Sequence, residues 1–331
     1  MSGHAATGFI TSFVLKEGGE TNSEGETGTF NSMTMTSQWA TGGTDSCYLE
    51  MDQRQRFCFV SNYTSGSVSV FPVRPDRSLG APCCFRQHKP YPAQVLPGPV
   101  EDRQEGPHAH QARLMEKRPS ANTGSSDKGA DDKVSLPWLY VPDLGLDKVV
   151  QYSVDMSNGM LTEVAAHDMP AGGGPRHMDW LPQDRSKVAY VGMEMGNAVS
   201  VCGIDPWTGA LTVVQTLSTL PEDSGMVYPE NSVAQVLVHP SGKFVYASNR
   251  GHDSIACFAV EARTGRLTPA GHFSTEGECP RNFQFPAEGR LCVAANQNSH
   301  SCVTYRVDAA TGALTLTGHS LSVPSPVCCG F

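Results

Sequence analysis

Two columns of residues in this 331-residue chain vary while their surroundings repeat, and they hold much of its reactive chemistry. The repeating unit is typified by HPSGKFVYASNRGHDSIACFAVEARTGRLTPAGHFST, residues 239–275. With the copies superposed, one column reads Cys47, His110, Arg176, Ala234 and Arg281, at the start of the first strand of each copy. The other reads Tyr63, Leu144, Glu194, Arg250 and Gln297, just after an Asn-like position. Positions that serve only the scaffold tend to repeat; these do not. Brought to one pocket, they would gather a His, two or three Arg and a Glu. Guanidinium groups bind phosphate or carboxylate through charge-assisted, bidentate bonds. Imidazole or carboxylate can move a proton near neutral pH. The expected chemistry is an anion clamp with an acid/base group.

The neighbouring histidines are weighed by the same logic. His108 and His110 stand two apart, so on a strand they share a face. An H-x-H pair can bind a metal, but no third His or carboxylate stands nearby in the sequence, and no metal or other cofactor is expected. His177 follows Arg176, so strict alternation points it to the opposite face, into the packing between repeats. His252, in NRGHDS, reads as a turn residue. Glu194, between two Met in GMEMGN, is either a functional carboxylate or the structural partner of an Arg.

The elements that must position these groups are short strands. FVYAS, IACFAV and LTPAGHFST read as β runs, separated by HPSGK, NRGHDS and EARTGR. Gly265 stands where a turn calls for a left-handed residue. Met193, Asn249 and Asn296 each precede Val199, Ile255 and Cys302 by six residues, and Asn62 and Asp143 fit the same rule. Neighbouring copies lie 47 to 56 residues apart where no insertion intervenes. That spacing suits a four-stranded blade, and three T-G-x-L-T turns, at Thr208, Thr264 and Thr311, recur in register. The fold class is therefore all-β, a β-propeller of four-stranded blades read as one domain over residues 1–331. Residues 8–40 hold one β run, FITSFVL, and read as the outer half of a first blade. Residues 115–134, containing KRPSANTGSSDKGADDK, read as an inserted flexible loop. Residues 326–331, PVCCGF, read as a lone strand that closes the ring.

Composition limits the partners. A net charge of −9 argues against nucleic acid but leaves room for a local basic pocket. No run of 18 apolar residues predicts a membrane helix, and the N-terminus lacks the basic and apolar regions of a signal peptide. The cysteines, odd in number at 11, fall partly inside apolar strand runs such as FCFV and IACF. They read as reduced thiols, with a cytoplasmic location. A monomer or weak homo-oligomer is expected.

Seven motifs together carry a resemblance: GPHAH (106–110), YVPDLGLDKV (140–149), GGGPRH (172–177), HPSGKFVYASNRGHDSIACF (239–258), CPRNF (279–283), AANQNS (294–299) and SLSVPSPVC (320–328). In this order they resemble the seven-bladed β-propeller lactonases, a family that includes propeller-type 6-phosphogluconolactonases and fungal carboxymuconate-lactonizing enzymes. The resemblance covers residues 42–331 and implies a site at the mouth of the central channel. The residues it implies are His108, His110, Arg176, Glu194 and Arg250; joined with the variable columns, this gives Glu194, His110, His108 and Arg250 as catalytic candidates, and Arg176, Arg250, Arg281 and His177 as binders of an anionic lactone or carboxylate. Three departures stand out. Met193 replaces the usual Asn before the Glu, Gln235 replaces the usual Glu, and the family's first blade and a half has no counterpart. The implied activity is metal-independent hydrolysis of a phosphorylated sugar lactone. The alternatives are a lactone-forming cycloisomerase and a catalytically inactive scaffold.

Overall fold

A computed structural model describes residues 7–17, 30–89, 105–116, 137–181 and 187–331. The described residues form five four-stranded antiparallel sheets and one two-stranded sheet. The innermost strands of the five blades are β3 (Ser46–Met51), β7 (Arg113–Met115), β11 (Pro175–Trp180), β15 (Ser232–Val238) and β19 (Pro280–Gln284). The second strands are β4 (Phe57–Asn62), β8 (Trp138–Asp143), β12 (Val188–Met193), β16 (Phe244–Arg250) and β20 (Leu291–Asn296). Third come β5 (Ser67–Pro72), β9 (Lys148–Asp155), β13 (Ala198–Ile204), β17 (Ser254–Val260) and β21 (Ser301–Val307). Outermost are β6 (Cys84–Gln87), β10 (Met160–Asp168), β14 (Leu211–Ser218), β18 (Leu267–Ser274) and β22 (Leu314–Ser322).

Burial explains the sequence patterns. Strands β4, β8 and β12 are buried on both faces, because a neighbouring sheet covers each side, and they read as continuous apolar runs. Strand β14, at the rim, alternates buried with solvent-facing residues. The core is a series of layers between consecutive blades. Tyr152 and Phe59 share one, Trp138 and Trp180 the next, Tyr190 and Phe258 the third, and Tyr246 and Phe283 the fourth.

A repeated polar latch joins three of these layers. The hydroxyls of Tyr140, Tyr190 and Tyr246 donate to the carbonyls of Gly209, Gly265 and Gly312 in the next blade's T-G turn, at 2.9, 2.9 and 2.7 Å. Those glycines have φ of 73, 72 and 76°, and a Cβ on Gly265 would lie 2.6 Å from Val188. The latch thus needs glycine for its left-handed turn and its close approach alike. Tyr246→Phe removes one buried bond and orphans the Gly312 carbonyl. We expect it to lower unfolding free energy by about 1–2 kcal/mol, read as an earlier urea midpoint at unchanged m-value.

The ends of the chain differ from expectation. Residues 8–40 were read with one β run, but β1 (Thr7–Glu17) and β2 (Phe30–Thr44) form a hairpin. Its second strand alternates Met33 and Met35 with threonines, which satisfies the period of two despite low apolar content. The hairpin packs on the first blade through Ile10, and the Trp39 indole donates to the Leu79 carbonyl at 2.8 Å. The expected insertion at 115–134 starts too early, because Met115 is fully buried at the end of β7; residues 117–136 lie outside the described residues. The closing strand expected at 326–331 is not a strand. Pro324 and Pro326 remove two ladder donors, Ser325 between them has φ of 44°, and its amide is held by His300 Nδ1 at 2.9 Å. The tail turns across the last blade instead.

Candidate active site

One irregularity, repeated five times, builds the site. Each inner strand slips by one residue against its partner: between Ser46 and Tyr48, Ala109 and Arg113, Pro175 and His177, Val233 and Val236, and Pro280 and Asn282. The slip falls on the first variable column, at Cys47, His110, Arg176, Ala234 and Arg281. A bulge breaks strict alternation and re-aims the side chains beside it. This corrects the expectation for His177. Instead of pointing away from Arg176, its ring lies 3.2 Å from Arg176 Nη1.

Glu194 is the hub. It is fully buried, its Oε2 lies 2.9 Å from Arg176 Nε, and its Oε1 lies 2.9 Å from Arg250 Nη2. Both guanidiniums are also held by backbone, Arg176 Nη1 donating to the Ala234 carbonyl at 2.6 Å and Arg250 Nη2 to the Val233 carbonyl at 3.1 Å. The two variable columns therefore meet. Burial, reinforced by the Arg250 charge, pulls the Arg176 pKa down to about 9, with Glu194 opposing the fall. Arg281 also belongs to this field, donating to Gln297 Oε1 at 3.5 Å. Among the described residues it has no carboxylate partner.

The histidines line the same cluster. The His110 and His177 rings meet edge to face at 5.0 Å between centroids. Tyr63 stacks on His108 at 4.7 Å and meets His110 edge-on at 5.3 Å, so the H-x-H pair does share a side. His108 is tied down, its amide donating to Asp143 Oδ1 at 2.7 Å and its Nδ1 lying 3.2 Å from the Tyr63 carbonyl. His252 serves its turn through Ser254 Oγ at 2.8 Å. His177 Nδ1 donates to Gln235 Oε1 at 2.7 Å, and Arg176 Nη1 lies against the ring, 3.4 Å from Nδ1 and 3.2 Å from Nε2. For His110, Nδ1 lies 3.9 Å from the Cys47 thiol, and no hydrogen bond to Nε2 from another side chain is seen among the described residues. The protein crowded around Cys47 pushes its thiol up to about 12 and makes it a poor nucleophile.

Burial first, and then the Arg176 charge, hold both His110 and His177 well below their ordinary 6.5. Both are neutral at pH 7. The unfolded chain takes up their protons near 6.5 while the fold resists, so stability is complete above 6.5 and declines as pH falls below it. Thermal melts from about pH 7.5 to 5 should show Tm falling, with a shallower decline in His177→Asn. A pH-independent Tm would contradict the buried neutral state.

Two polar pairs escaped the sequence reading. His88 Nδ1 lies 2.6 Å from Asp143 Oδ2, both buried. Asp143 occupies the Asn-like register position, and its departure from Asn was the available signal. Arg113 bridges Glu50 at 2.8 Å and Asp179 at 2.7 Å, tying the inner strands of three consecutive blades. Both pairs support the ring around the site.

Successive four-stranded blades whose inner bulges bring arginines and neutral histidines around one carboxylate define a β-propeller with a charged cluster on its inner strands. Residues 17–331 match the family described as Lactonase, 7-bladed beta-propeller, and the chain belongs to that family. It is 36% identical over 251 residues to a 6-phosphogluconolactonase of Bacillus subtilis, covering 75% of this chain and 62% of that relative's length. Among solved structures it is similar to the periplasmic gluconolactonase PpgL of Pseudomonas aeruginosa, with TM-score 0.76, 28% identity, and coverage of 98% of this chain and 80% of that one. A protein from Lactobacillus plantarum superposes with TM-score 0.75 at 30% identity, over 89% of this chain and 77% of the other.

Proposed function

We propose that this protein hydrolyses a sugar lactone bearing an anionic group, with 6-phosphogluconolactone as the preferred substrate. The observation that carries the reading is charge. Three guanidiniums, of Arg176, Arg250 and Arg281, share one neighbourhood, and among the described residues Glu194 is the one carboxylate that pairs directly with any of them. Two positive charges are left uncompensated, which matches a phosphate monoester carrying close to two negative charges at pH 7. The relatives named 6-phosphogluconolactonase and gluconolactonase favour the same reaction class.

In this reading neutral His110 is the general base. Its Nε2 takes a proton from water as the oxygen attacks the lactone carbonyl. The carbonyl oxygen becomes an oxyanion, stabilised by a guanidinium N–H. Collapse breaks the bond to the ring oxygen, which leaves as a hydroxyl after His110 returns the proton. Glu194 fits a positioning role better than that of base, because each of its oxygens is taken by an arginine. Arg281, without a carboxylate of its own, is the anchor for the substrate phosphate.

The test is hydrolysis of 6-phosphogluconolactone by the purified chain, with unphosphorylated δ-gluconolactone alongside. Arg281→Ala should raise KM for the phosphorylated substrate about 10- to 100-fold, the loss of one charge-assisted contact, with kcat nearly unchanged. The unphosphorylated lactone should be affected far less. A wild-type rate equal to the spontaneous rate for both lactones would overturn the proposal and leave the scaffold reading.

A further inference from the structure

On the last blade, Asn282 of β19, Ala295 of β20 and Cys302 of β21 stand directly opposite one another. Residues opposed in this way project to one face. Their neighbours Phe283, Ala294 and Val303 pack with Phe244 and Tyr246 of the fourth blade. The row of Asn282, Ala295 and Cys302 therefore lies on the face turned away from that blade. Ala295 places only a methyl between the Asn and the Cys. The C-terminal tail crosses above it. The Cys329 amide donates to Asn282 Oδ1 at 2.9 Å, and Cys302 is a neighbour of the Cys329 thiol. The adjacent Cys328 thiol turns instead to the Cys329 carbonyl, at 3.7 Å. Cys302 and Cys329 are each partly accessible to solvent.

We propose that Cys302 and Cys329 form a reversible disulfide that fastens the C-terminal tail across the last blade. The oxidant is a small disulfide such as oxidised glutathione. The Cys302 thiolate attacks it, forming a mixed disulfide and releasing one small thiol; Cys329 is not the first attacker, because burial first, and then Cys302, push its thiol up to about 12. The second cysteine then displaces the other small thiol as the internal S–S bond forms. Two protein thiols and one small disulfide give one protein disulfide and two small thiols. A tail already hydrogen-bonded to the residue two strands from Cys302 needs little backbone movement to bring the two thiols to bonding distance. The bond secures a residue linked to the site: Asn282 Nδ2 donates to Gln235 Oε1 at 3.3 Å, and that oxygen also accepts from His177 Nδ1.

The purified full chain is equilibrated with oxidised glutathione and digested without reduction, and the peptides are read by mass spectrometry. The expected product is a peptide pair joined through Cys302 and Cys329, in a protein about 2 Da lighter. Its apparent Tm should rise by a few degrees and return on reduction, as closing a loop in the unfolded chain predicts. Cys302→Ser and Cys329→Ser should abolish the rise, while Cys328→Ser keeps it. No linked peptide, a linkage of Cys329 to any other cysteine, or a rise that survives in Cys302→Ser would overturn the proposal.

Discussion

Glu194→Gln should cut lactone turnover by about 100-fold or more and destabilise the fold by about 3–5 kcal/mol, the usual cost of stripping one partner from a buried ion pair. The amide keeps the shape of the carboxylate but not its charge. Arg176 and Arg250, each 2.9 Å from a Glu194 oxygen, would then repel one another with nothing between them. Arg176 is the more sensitive of the two. Burial and Arg250 already bring its pKa to about 9, and Glu194 is what opposes that fall. Urea unfolding and steady-state kinetics on one preparation measure both effects. Adding Arg250→Met should restore part of the stability, since the surplus buried charge goes with it, but not the activity. A Glu194→Gln protein with wild-type stability would show that the carboxylate does not hold the two arginines together.

His110→Asn should lower kcat by about 10²–10⁴, the range a positioned base contributes, with a small change in KM. The choice between the two buried histidines rests on what each ring already does. His177 is held by Gln235 at Nδ1 and covered by the Arg176 guanidinium, and its loss should act through geometry. His110 keeps Nε2 for water or substrate. Because His110 is held well below 6.5, the acid limb of kcat/KM in the wild type should fall below pH 6.5. His110→Asn should abolish that limb, while His177→Asn should keep it. If His110→Asn retains both turnover and the acid limb, another group is the base.

The departure at Gln235 gains meaning from the same contacts. A carboxylate there would draw a proton onto His177 and add negative charge beside Arg176. The amide instead accepts from a neutral His177, at 2.7 Å, and leaves the surplus positive charge of the cluster intact. A more positive pocket is the direction expected for a more strongly anionic substrate.

The repeating copies determined much of this by themselves. Blades built on one register place a given column of the superposed copies at one level of the ring. The residue types in two columns therefore pointed to a charged cluster at one level of the ring. The apolar runs of the second strands and the T-G turns likewise marked which strands lie between blades and where the left-handed glycines sit. Only the tertiary structure decided how those columns meet. A one-residue slip in each inner strand is a matter of pairing with another strand, and no local preference for β structure reveals it. That slip turns Arg176 and His177 to the same cluster against the expectation of alternation. The assignment of Glu194 to two arginines, of Asp143 to His88, and of the tail to Asn282 are contacts between segments distant in the chain. Pattern reading sees each residue's type and spacing, and the partner that fixes its charge and direction comes from another blade.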